Sequence, residues 1–152
     1  MRIRKILNSN KGFTLIELAI VMAIIVVLVG IVIVGMGSLS TSRVTRATSD
    51  FQSIRSAGIQ WMSRNGQSNY TGITTAALAP YLTITMASGN PWGGSYTAAA
   101  NATDSTKLDV SGTGLGSSAT GPCADISTAL GKLGWSVGSA CSATGGLTMT
   151  TP

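Results

Sequence analysis

A chain of 152 residues carries ten Lys and Arg against five Asp and Glu, and has no histidine. That length suffices for one ordinary domain, and the missing histidine removes the commonest neutral-pH acid/base and metal ligand. The net charge of +5 does not describe a nucleic-acid surface, because Arg2, Arg4, Lys5 and Lys11 supply +4 of it and the rest of the chain is nearly neutral.

Residues 1–12 form a short basic leader, and residues 13–37 are apolar. From Leu18 to Met36 there are 19 residues without a charged or strongly polar side chain, and ~20 helical residues cross a bilayer core. A cleavable secretory segment has a shorter apolar run, roughly 7–15 residues. The run therefore predicts a retained membrane helix. Basic residues ahead of it place that end in the cytoplasm and the remainder outside. Glu17 lies about one helical turn inside the cytoplasmic edge, where its charge costs less than the ~2.5–3.5 kcal/mol of a mid-bilayer acid.

From residue 38 to residue 65 the character changes. Val44, Ala47, Phe51, Ile54, Gly58 and Trp61 recur at spacings of three and four, which makes an apolar helical stripe. Arg43, Arg46, Asp50, Arg55 and Arg64 read as largely off that stripe, with Arg46 and Asp50 spaced for an i,i+4 pair. No proline interrupts residues 13–65, so one helix of ~50 residues, roughly 75–80 Å long, is predicted, ending at Asn65-Gly66. Gly30, Gly35 and Gly37 mark the changeover between its halves. They read either as close-packing positions or as a place where the helix bends or melts.

Residues 66–152 read as a small exported head rich in Gly, Ser, Thr and Ala. Ala76 to Leu82 suggests a short helix ending near Pro80. "NPWGGSY" reads as a turn entering a strand, and "SYTAAA" and "KLDVS" as strands of a hairpin. "SGTGLGSSATG", Ser111 to Gly121, reads as a flexible loop. Pro122 opens a predicted helix whose inward face is Ile126, Leu130 and Leu133, stopped by Gly134. Val137–Cys141 and Leu147–Thr150 are predicted as short closing strands. A head this small needs more apolar surface than it carries, which one face of helix 38–65 supplies. Cys123 and Cys141 lie in the exported part, where a disulfide is the default. It closes a loop of roughly 19 residues and contributes ~3 kcal/mol.

Nothing in the head reads as a catalytic, cofactor or metal site. Asp50, Asp104, Asp109 and Asp125 form no evident acid/base pair. The Gly-rich loop matches neither a Walker A nor a dinucleotide pattern. Trp61, Trp92 and Trp135 read as packing residues.

"KGFTLIELAIVMAII", from Lys11 onward, resembles the N-terminus of a type IV pilin: a basic leader ending in glycine, a hydrophobic residue, then Thr-Leu-Ile-Glu-Leu. The resemblance extends to about Val34. It implies an α+β pilin fold, a long helix packed on a small antiparallel sheet with a disulfide-closed C-terminal loop made by Cys123 and Cys141. It further implies that a prepilin peptidase cuts the class III leader between Gly12 and Phe13 and N-methylates Phe13. An assembly ATPase and a platform protein would then move the subunit from the inner membrane into a homopolymeric surface fibre, with Glu17 paired to a neighbour's Phe13 amine. Fibres of this family serve adhesion, motility, DNA uptake and conjugation. The chain departs from many pilins in having no proline within its apolar helix. Its leader length and size lean towards the type IVb subclass. The nearest alternative is the major pseudopilin of a type II secretion system, whose Asp-Pro-Trp-Gly segment "NPWGGSY" resembles. Major pseudopilins usually lack the cysteine pair, and they hold calcium in an acid-rich C-terminal loop, where this chain has only Asp125 after Asp109. A minor pilin and a membrane-anchored enzyme are the remaining readings. Glu17 favours a major subunit over a minor one.

Overall fold

The computed structural model describes residues 13–115, 121–142 and 145–152, with backbone alone at 34–38. The leader, with Gly12, and the centre of the Gly-rich loop lie outside those residues. The chain divides into two units, Met1–Ser38 and Leu39–Pro152. Helix α1, Leu15–Arg64, contributes to both and carries on through Gly30, Gly35 and Gly37.

In the first unit every described side chain from Phe13 to Ile33 is exposed. The segment Leu15–Ile33 is long and apolar enough to cross a membrane. Its Leu, Ile and Val side chains surround the helix on all sides, so no single face is set apart for a protein core.

In the second unit α1 buries one face. Ala47, Phe51 and Ile54 are fully buried, Ala57 and Gly58 join them, and Val44 and Trp61 are half-buried at the two ends of the stripe. Gly58 is there because of space: a Cβ at that position would lie 3.0 Å from Leu108 Cδ2 and 3.1 Å from Tyr70 Cε1. The helix stops where Gly66 takes φ +62°, and the Asn65 side chain donates to the Trp61 carbonyl at 2.8 Å.

The expected i,i+4 pair does not form here. Asp50 belongs to the buried face, 5% exposed, and accepts from the Tyr96 hydroxyl at 3.1 Å. Among the described residues the ion pair is Lys107–Asp104, at 3.8 Å. Asp50 is drawn inward because it lies three residues after Ala47 and four before Ile54, in step with the stripe.

The head continues with α2, Thr75–Leu78, capped by the Thr74 hydroxyl, and a 3₁₀ turn, Ala79–Tyr81, through Pro80. Strands β1, Tyr96–Ala100, and β2, Leu108–Gly112, form the hairpin, with Ala98 opposite Val110. Helix α3, Pro122–Lys132, follows, then β3, Ser136–Ser139, and β4, Leu147–Thr150. The sheet is antiparallel in the order β1-β2-β4-β3. Alternating residues of β1 and β2 point inward, with Tyr96, Ala98, Leu108 and Val110 buried. Phe51 of α1 meets the rings of Tyr96 and Trp135 edge-on, with centroids at 5.5 and 6.0 Å. The outer edge of β1 is closed by the chain itself: the Ala98 N–H donates to the Thr75 hydroxyl and the Tyr96 N–H to the Met86 carbonyl.

Three expectations shift. The anticipated loop from Ser111 begins later, because Ser111 and Gly112 extend β2 and Leu115 is fully buried. Leu115 lies over Gly112, where a Cβ would stand 2.8 Å from its Cδ1, and its N–H donates to the Gly145 carbonyl. The third strand is Ser136–Ser139 rather than 137–141. Leu133 is not part of the inward face of α3: it is 51% exposed, and the buried set is Cys123, Ile126 and Leu130. Leu133 falls at the C-cap, Gly134 reverses the chain at φ +86°, and Trp135 turns inward instead, its backbone N–H donating to the Leu130 carbonyl.

Candidate functional site

The helix begins at Leu15 because Thr14 and Glu17 close a reciprocal cap. The Thr14 Oγ accepts from the Glu17 N–H at 3.3 Å. Glu17 Oε2 in turn accepts from the Thr14 N–H at 2.8 Å and from the Thr14 hydroxyl at 2.9 Å. A helix leaves its first four N–H groups without helical acceptors, and a Thr-x-x-Glu box satisfies two donors at once. The positive end of the helix dipole favours a carboxylate here. Thr14 was not singled out from the sequence, although Thr-Leu-Ile-Glu ahead of an apolar run is the local signature of such a box.

Both Thr14 donors land on one oxygen. Among the described residues Glu17 Oε1 has no hydrogen-bond partner. Phe13 precedes the helix and is 84% exposed. The structure thus brings Phe13, Thr14 and Glu17 together at the head of an exposed apolar helix. Gly12 lies outside the described residues.

Cys123 and Cys141 form a separate feature of the head unit. They are joined, with Cα atoms 6.0 Å apart, and tie the first turn of α3 to the segment after β3. Cys123 is fully buried and Cys141 half-buried.

Three of the remaining acids, Asp50, Asp104 and Asp109, serve the fold. Asp104 Oδ1 accepts from the Thr106 N–H and hydroxyl, and these bonds hold its carboxyl below the ordinary carboxylate value. Asp109 accepts from the Asn101 side chain and the Thr150 hydroxyl. Burial pushes the Asp50 carboxyl up, against the Tyr96 hydroxyl and Arg46, which pull it down. Trp135 is buried in the core, and Trp61 and Trp92 are half-buried against it.

Residues 7–33 match the family model of the prokaryotic N-terminal methylation motif. No curated protein and no solved structure matches the chain. The motif supports a type IV pilin- or pseudopilin-like protein and points to a structural rather than a catalytic role. Together with the apolar helix it suggests membrane anchoring.

Proposed function

We propose that this chain is the major subunit of a type IV pilus, nearer the type IVb subclass. A prepilin peptidase removes residues 1–12 and methylates the new amine of Phe13. Residues 13–37 hold the subunit in the inner membrane and then form the fibre core. Residues 38–65 continue the helix under the head, and residues 66–152 coat the fibre surface. An assembly ATPase and a platform protein drive the transfer.

The observation that carries this reading is the 19-residue stretch Leu15–Ile33, exposed throughout, with a lone carboxylate in its first turn. Such a surface needs lipid or other copies of itself. In a bundle of apolar helices a charge left without a counter-ion is costly: breaking a buried pair costs ~3–5 kcal/mol. Cleavage before Phe13 creates an ammonium four residues ahead of Glu17. A neighbour's amine then fixes the stagger of adjacent subunits, while the apolar side chains supply adhesion. The Cys123–Cys141 bridge supports a pilus over a secretion pseudopilus, whose major subunits ordinarily lack one.

Electron microscopy of sheared surface material, with peptide mass identification, tests the proposal. Long fibres made of this chain are expected. In Glu17→Ala the precursor should be cleaved and stay in the membrane without reaching fibres; fibres at parental yield would refute the pairing.

A further inference from the structure

We propose that Thr14 is a positioning residue for assembly: its cap clamps Glu17 through Oε2 and so presents Oε1 to the neighbour's Phe13 amine. The inference rests on the filament reading above and adds a residue to it.

The geometry is asymmetric. The Thr14 N–H and hydroxyl both reach Oε2, at 2.8 and 2.9 Å, and the Thr14 Oγ takes the Glu17 N–H at 3.3 Å. Two of these bonds hold the Glu17 side chain, which otherwise has several rotatable torsions, and the third ties its backbone to the same threonine. Oε1 keeps its acceptor capacity, since a carboxylate accepts at both oxygens. Ordering the carboxylate before the partner arrives removes an entropic cost from association. The same cap fixes the first helical residue at Leu15. Phe13 therefore stays outside the helix, and its nitrogen, like those of the first turn, has no helical acceptor.

A role confined to helix stability and a role in presentation differ in what they move. Loss of helix stability lowers the amount of processed subunit in the membrane. Loss of presentation lowers the fibre formed per processed subunit. Thr14→Val keeps the side-chain shape and the backbone donor but removes the hydroxyl, and with it two of the three bonds. Thr14→Ser keeps the hydroxyl.

The test uses the full chain in cells that assemble it. It measures sheared fibre against processed, N-methylated subunit in the membrane. Carbodiimide treatment of the fibres then joins Glu17 to any amine in contact, and the joined Phe13–Glu17 peptide is quantified by mass spectrometry. Thr14→Val should lower both the fibre ratio and the joined peptide per subunit by about tenfold, the scale of one net hydrogen bond. Thr14→Ser should stay within about twofold of the parent, within ordinary additivity error. If Glu17→Ala still yields fibres at parental level, the filament pairing itself fails. If Glu17→Ala is fibreless while Thr14→Val matches the parent in both readouts, the pairing stands and the positioning role is overturned. A loss in Thr14→Val wholly accounted for by a smaller pool of processed subunit overturns it too.

Discussion

Asp50 gives the head a pH dependence that can be reasoned from its surroundings. It is 5% exposed and its Oδ2 accepts from the buried Tyr96 hydroxyl at 3.1 Å. Burial pushes its carboxyl above the ordinary value of 3.8; the Tyr96 hydroxyl and Arg46 oppose that rise without cancelling it. Burial and the adjacent Asp50 push the Tyr96 phenol far upward as well, so it remains a donor throughout. An acid whose pKa rises on folding binds its proton more tightly in the folded state. Its contribution is fully favourable below the unfolded value and is lost as pH climbs through the raised folded value. Asp50→Asn removes the buried charge and keeps a carbonyl for the Tyr96 hydroxyl, so this slope should vanish. Tyr96→Phe removes the donor that favours the carboxylate. It should cost about 1.5–3 kcal/mol at pH 7, the range for a hydrogen bond to a charged group, and the loss of stability on leaving acid pH should steepen. Asp104, held low by Thr106, contributes the opposite slope, so the difference between parent and Asp50→Asn isolates the buried acid. The assay is urea unfolding of the detergent-solubilised chain from acid to neutral pH, followed by near-ultraviolet circular dichroism. A parental pH slope in Asp50→Asn, or parental stability of Tyr96→Phe at neutral pH, would refute the reasoning.

Three further outcomes are expected. Leu130→Ala should destabilise the head by ~2–5 kcal/mol as a core truncation, whereas Leu133→Ser should change stability by no more than ~0.5 kcal/mol as a surface change; urea unfolding of both variants checks the exposed position of Leu133. Replacing Cys123 and Cys141 together by serine should lower the stability of the head by ~3 kcal/mol, read from the same unfolding curves; no change would mean the bridge is energetically idle. Gly12→Ser should leave the leader attached, and mass spectrometry finding mature N-methylated Phe13 would contradict the assignment of the cut.

What could be read in the sequence depended on how far away each residue's partner lies. The apolar run was legible because a helix in lipid needs no partner to define its faces, so composition and length carry the signal. The stripe from Val44 to Trp61 was legible because period alone marks a buried face. Asp50 has that same period, three residues from Ala47 and four from Ile54, yet its charge argued for the surface. The period carries it inside, and the hydroxyl that meets its charge there belongs to Tyr96, 46 residues further on. Leu133 shows the converse: the period points inward, but the helix ends one residue earlier and Trp135 fills the core. The pairing of β2 with β4 across α3 likewise depends on contacts between distant segments. Glu17 combines both situations. Its Oε2 is settled by a residue three positions away, and that much was written in Thr-x-x-Glu. A capped helix alone does not require an acid there, because a Thr hydroxyl at the N-cap already accepts from the first turn. The acid adds a net negative charge at the mouth of an apolar helix, and its pairing with Thr14 leaves one of its oxygens without a partner among the described residues. Under the proposed pairing, a neighbour's amine would neutralise it.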